Sequence, residues 1–487
     1  MNSSKHRKGL EKALKDVDSR LRGRPLSLEL KYERARILDR LGRAEEARQA
    51  YVEILQREGA HFGALNDLGL LLFRAGRRAE ALVCFNAAVA KHPNNAIGRA
   101  NLGLVLLRGG DAAQAKQQYE IALQLDPGNA ETRRGLSLAL DALGESERAQ
   151  SHREAGFAAT PIVQLPYRGE GRPTRVLLIV SASPGNVPTD RFLDDRTFSV
   201  AKLVAEYYRP TLALPAHDVI FNAVGDADIC QPALEAASAI LRRSGAPAIN
   251  SPEAVAATGR IANAARLREL PDTVVPRAFA LARSSFERGE AAAEIEARGF
   301  AYPVLLRTPG FHAGAHLERV TDANRLAETA ARLPGEELFV IEFADGSAAD
   351  ATFRKYRAIF VGERIFPLHL AISSQWKVHY FSADMSDRAD YRALEAAFLH
   401  DMPAVLGEKA MRSLEGVRRM VGLDYGGIDF GIDREGRAIV FEANATMIVP
   451  APQDEAQWAY RREAIAAVES AVIEMLLDRA ATRSRRA

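Results

Sequence analysis

The chain is poor in the residues that staple a protein or anchor it in a membrane. Its 487 residues include two cysteines, Cys84 and Cys230, far apart and in apolar company. That excludes a disulfide framework and fits a reducing compartment. No window approaches eighteen uninterrupted apolar residues, so the sequence predicts no membrane span. The polar, basic stretch 1–8 has no apolar run behind it, which predicts no signal peptide and a cytoplasmic protein. Charge of one sign is lacking too: 65 basic and 63 acidic residues leave +2. Nucleic acid is therefore not favoured as a partner, and the basic tail 481–487 reads as a solvated end. What is present is ordinary for a globular chain, 47% hydrophobic and 26% charged. The length predicts about two to four domains.

Self-similarity appears at a period of 34. Gly69 recurs as Gly103, Gly76 as Gly110, Ala81 as Ala115, Phe85 as Tyr119 and Pro93 as Pro127. One step back lies on Ala35, Gly42, Ala47 and Tyr51; one step forward lies on Gly144 and Ala149. Small residues suit the close crossing of antiparallel helices, an aromatic plugs the gap between repeats, and proline stops the second helix. Residues 29–158 resemble the tetratricopeptide repeat family, with three to four copies, the last degraded into a cap, behind a helical extension over 1–28. The resemblance implies a solenoid whose concave face takes a peptide or protein. Cys84, beside Phe85 in a second helix, reads as core.

Residues 159–173 hold Pro161, Pro166, Pro173, Gly169 and Gly171 without helical period, which reads as a linker. The apolar run 175–180 suits a buried parallel strand. A loop with Gly185 and Asn186 follows, then a helix to about Tyr208, a strand over 218–222, the turn carrying Asp226 and Asp228, and a helix over 231–243. Alternation of strands and helices predicts an open α/β sheet over 174–250, with ligands at the carboxyl ends of its strands. Gly185, Asn186, Asp226 and Asp228 are then candidates for a site edge.

The strongest chemical signal is the apolar hairpin of residues 427–444. Asp429 sits in its first strand, while Glu442 and Asn444, two apart in the second, share a face. Pairing across the hairpin can bring Asp429 beside them. Two carboxylates and an amide oxygen in apolar company repel unless a cation sits between them, and hard oxygen ligands suit Mg²⁺. Upstream, Lys355 and Arg357 alternate on a strand and share a face.

This spacing of Asp429 with Glu442-Ala-Asn444 resembles the metal hairpin of the ATP-grasp superfamily, in particular its D-alanine–D-alanine ligase-like members. The resemblance runs over residues 174–480 and divides them into an α/β pre-ATP-grasp domain (174–250) and an α+β ATP-grasp domain (251–480). It implies that Asp429, Glu442 and Asn444 hold Mg²⁺ on the phosphates of ATP. Arg260 and Arg307 stand where the family grips phosphates with lysines. Glu342 and the backbone of Ala344 would meet adenine. The loop 309–314, ending in Gly314, would fold over the triphosphate. Lys355 and Arg357 are the implied catalytic cations, steadying the γ-phosphate or an acyl phosphate. Two places depart from the family: Gly427 replaces an arginine, and 445–450 replaces a glycine-bearing loop, so D-alanine–D-alanine ligation is not expected. His312, His316, His369 and His379 are further acid–base candidates.

The resemblance implies an ADP-forming ligase that joins a carboxylate to an amine through an acyl phosphate, the repeats presenting a peptide or protein. Phosphoryl transfer needs positioning and charge neutralisation more than covalent help, which explains the residue types. Two alternatives share the fold: a phosphotransferase, and a scaffold with a degenerate nucleotide site.

Overall fold

The computed structural model describes residues 2–484 apart from 159–160, 312–313, 349, 380–382 and 454. It divides into two compact units, residues 1–163 with 168–173, and residues 164–167 with 174–487.

In the first unit, α1 (Asn2–Gly23) precedes four helix pairs: α2 (Leu28–Arg40) with α3 (Ala44–Arg57), α4 (Phe62–Arg74) with α5 (Arg78–Lys91), α6 (Ala96–Arg108) with α7 (Ala112–Leu125), and α8 (Ala130–Ala142) with α9 (Ser146–Phe157). The 34-residue period is visible in the caps. Ser27, His61, Asn95 and Asn129 each accept a hydrogen bond from the amide three residues on, opening the first helix of each pair. The turn within each pair passes through a glycine at positive φ, from Gly42 to Gly144. A Cβ on Gly69 would lie 2.7 Å from the Phe85 ring, so the small residue is dictated by the aromatic. The last pair is complete, with Ala149 and Leu136 fully buried, rather than a degraded cap.

The second unit carries three sheets. Strand β1 (Ile162–Gln164) falls at the boundary of the two units in the sequence; in the second unit β2 (Thr174–Val180), β3 (Phe198–Val204), β4 (Val219–Asn222) and β5 (Ala248–Ile249) run parallel in the order β3-β2-β4-β5. Helices α10 (Gln231–Ser244), α11 (Pro252–Ala256) and α12 (Arg260–Leu267) follow around β5. The expected helix up to Tyr208 is a strand instead. Phe198, Val200, Ala201, Leu203 and Val204 are buried on both faces of the sheet, and that two-sided burial, which an apolar run cannot distinguish from a buried helix, decides for β3.

The next sheet is antiparallel, β7-β10-β8-β9, from β7 (Ala278–Ala282), β8 (Val304–Arg307), β9 (Leu317–Val320) and β10 (Glu337–Glu342). The third orders β12-β11-β13-β14-β6, from β6 (Thr273–Val274), β11 (Phe353–Val361), β12 (Arg364–Ser373), β13 (Tyr425–Ile432) and β14 (Ala438–Asn444). The β13–β14 hairpin closes as expected through Asp433, whose Oδ1 accepts from the amides of Glu435 and Arg437.

Candidate functional site

A cavity of about 720 Å³ in the second unit is walled by both antiparallel sheets and by the loops after β2 and β4. The register of the third sheet builds its floor. On adjoining strands His369, Arg357, Asp429 and Glu442 are directly paired, one after the other. Direct pairing places side chains on one face, so these four form a row, and all four line the cavity. Lys355, two residues before Arg357, joins them.

Asp429 is buried, at 1% exposure. Its Oδ1 and Oδ2 accept from Arg357 Nε and Nη2 at 2.6 and 2.8 Å, and Lys355 Nζ lies 2.6 Å from Oδ2. Burial alone would raise this carboxyl's pKa; Arg357 and Lys355 outweigh it and hold the group well below the usual carboxylate range. Glu442 Oε1 lies 3.0 Å from Arg260 Nη2 and accepts from Asn444 Nδ2 at 2.7 Å. There, too, burial opposes the shift, and Arg260 and Arg307 bring the carboxyl down to about 2. Arg307 is itself buried, which pushes it down to about 10, still charged at neutral pH. Four cations thus gather about two carboxylates that stay ionised, an arrangement able to receive an anion.

Among the described residues no three His, Cys, Asp or Glu side chains gather as a metal cage. The carboxylates turn to arginine and lysine instead, and the Asn444 amide oxygen accepts from Thr446 N and Oγ1 at 3.0 Å each. The donor chemistry nevertheless suits Mg²⁺: two hard carboxylates, directly opposed on neighbouring strands and flanked by an amide oxygen, leave most positions to water and phosphate.

Glu342, Ala344 and Gly314 line the same cavity, so all ten expected site residues do. Two details differ. The Glu342 carboxylate is engaged by Arg277, whose Nε and backbone N donate to it at 2.5 and 2.8 Å. It is therefore spoken for, which leaves the backbone after β10 as the free edge. Arg277 carries no periodic or motif signal in the sequence. Among the site-edge candidates, Asn186 ties its own loop through Ser181 and Ser183, Asp226 caps its own turn, and Asp228 receives the Arg260 amide at the start of α12. All line the cavity, with side chains holding backbone. His379 also lines it, His316 meets Phe311 edge to face with ring centroids 4.3 Å apart, and His312 lies outside the described residues.

Sequence reasoning passed over Met447. Its Cγ lies 3.0 Å from where a Gly427 Cβ would stand, and Ala358 O lies 2.6 Å from the same point. Gly427 and the segment 445–450 therefore meet at one place: there is no room for a side chain at 427, and Met447 covers it.

Among curated proteins none matches the chain. Solved structures similar to its helical part include MamA from Desulfovibrio magneticus RS-1 (20% identity, 32% of this chain and 94% of that one, TM-score 0.28). A tetratricopeptide repeat protein from Parabacteroides merdae is 18% identical over 33% of this chain and 68% of its own, with TM-score 0.29. PilF from Pseudomonas aeruginosa is 23% identical over 31% and 69%, with TM-score 0.29. The tetratricopeptide repeat family model matches residues 32–96, 66–130 and 101–151, and the N-terminal region is a tetratricopeptide repeat array.

Proposed function

We propose that residues 174–480 form an ATP- and Mg²⁺-dependent ligase of ATP-grasp type, which activates a carboxylate as its acyl phosphate, releases ADP and joins it to an amine. The observation that carries this reading is the gathering of four cations in one cavity, Arg260, Arg307, Lys355 and Arg357, about Asp429 and Glu442. A triphosphate would meet these cations. Asp429, Glu442 and Asn444 would hold Mg²⁺, which neutralises charge on the transferring phosphoryl group. Arg260 and Arg307 grip the phosphates, and arginine's planar fork does so bidentately. Lys355 and Arg357, which share Asp429, would steady the phosphoryl group and the acyl phosphate. The apolar wall of Leu305, Phe339, Ile341 and Val440, beside the backbone of Ala344, suits a purine. The repeat array presents a peptide or protein to this site.

ADP release is measured with ATP, Mg²⁺, hydroxylamine and pooled carboxylates, with Glu442→Gln alongside. A hydroxamate that the variant does not make is the expected result. ADP without hydroxamate would point to a phosphotransferase, and absence of any response to ATP would leave the scaffold reading.

A further inference from the structure

The segment after the hairpin, residues 445–453, forms one wall of the cavity and has no charged side chain. It is held at both ends and in the middle. Thr446 donates twice to Asn444 Oδ1, Tyr425 Oη donates to Met447 O at 2.7 Å, and Gln453 Oε1 accepts from Arg461 Nη1 at 2.7 Å. Arg461 is in turn fixed by the fully buried Glu395, at 2.7 Å, and stacks over the Trp458 ring. Such anchoring gives the wall one conformation before any ligand arrives.

What this wall shows the cavity is apolar. Met447, 2% exposed, lies over Gly427 and Ile359, one row along the sheet from Arg357 and Asp429. Ile448 and Pro450 line the cavity beyond it, and Ile448 is 51% exposed although Thr446, Met447 and Gln453 of its segment are anchored. An aliphatic side chain left open at the rim of a preorganised cavity is a surface awaiting an apolar ligand. The facing wall carries two carboxylates, each already holding backbone: Asp226 receives the amides of Asp228 and Ile229, and Asp228 that of Arg260. Thr446 closes the seam between these walls, since its Cγ2 stands 2.9 Å from where a Gly225 Cβ would be.

We infer that the carboxylate activated at this site carries an apolar body, an alkyl or aryl acid with a single charge, seated against Met447, Ile448 and Pro450 with its carboxylate toward Arg357. The inference rests on the ligase reading above and narrows it. A dicarboxylate or a zwitterionic amino acid seated this way would lay its second charge against Met447, Ile448 and Pro450, which offer it no partner, and a buried unpaired charge is strongly disfavoured. Apolar contacts discriminate more gently, by about 10- to 200-fold per methylene-sized change.

The full chain is assayed for hydroxamate formation with ATP, Mg²⁺ and hydroxylamine against single acids: butyrate, hexanoate and benzoate, compared with succinate, alanine and glutamate. The expected result is at least a tenfold preference in kcat/KM for the apolar acids. Ile448→Asp, at an exposed position, should lose that preference by tenfold or more while the rise in melting temperature caused by ATP and Mg²⁺ is kept. Preference for succinate or the amino acids, with the apolar acids inert, overturns the inference and leaves the ligase reading standing. If ATP with Mg²⁺ raises no melting temperature and no acid gives a hydroxamate, the ligase reading falls and takes this inference with it.

Discussion

His369 shows how much one residue's setting can change its chemistry. It is fully buried in the row beside Arg357, and burial, reinforced by the Arg357 cation, pushes its pKa well below 6.5. The imidazole is therefore neutral in the folded protein at pH 7. Unfolded, it titrates near 6.5. Below that pH the unfolded chain takes up a proton that the folded chain refuses, so this contribution is fully present above pH 6.5 and is lost as pH falls. The loss approaches about 1.4 kcal/mol per pH unit. Between pH 7.5 and 5.5, denaturant unfolding of His369→Gln should show a fall in stability about 1 kcal/mol smaller than that of the parent chain. Equal slopes would mean that the imidazole is already charged in the fold.

Elements, rather than residues, explain what could be read from the sequence. Period two in a strand placed Lys355 with Arg357 and Glu442 with Asn444 on common faces, and the structure keeps both pairs in one cavity. Spacing within a strand is local information. Which residue stands opposite which is not, because register depends on the whole hairpin and on the neighbouring strand β11. That is why His369 was one histidine among four, and why Arg277, which reaches Glu342 from 65 positions away, gave no signal. The mistaken helix before Tyr208 has the same origin: burial on both faces of β3 is a property of the sheet, not of the run. Gly427 turns this into a test. Its missing side chain leaves room for Met447 and for Ala358 O, which would stand 2.6 Å from a Cβ. Carbonyl oxygen in a paired strand cannot withdraw cheaply. Gly427→Ala should therefore lower unfolding stability by about 1–3 kcal/mol, the usual cost of overpacking. A chemical-denaturation midpoint equal to that of the parent would show that the strands can part at no cost.

At the scale of the whole molecule, the two compact units have separate cores. One cluster centres on Leu38, Tyr51 and Phe85 in the repeats, another on Ile295, Val304 and Leu338 in the second unit. Both tryptophans, Trp376 and Trp458, belong to the second unit, so indole fluorescence reports its unfolding and not that of the repeats. Far-UV ellipticity reports the helices of both units, so the repeats' transition is the part of it without a fluorescence counterpart. A ligand stabilises only the unit that binds it, by about 2.7 kcal/mol at a hundredfold excess over its Kd. For a unit of this size that is a rise of about 5 °C. ATP with Mg²⁺ should thus move the fluorescence transition upward by about 5 °C and leave the part of the ellipticity change that has no fluorescence counterpart where it was. Movement of both signals together would show that the units unfold as one. Movement of neither would remove the nucleotide from the cavity, however well its cations suit one.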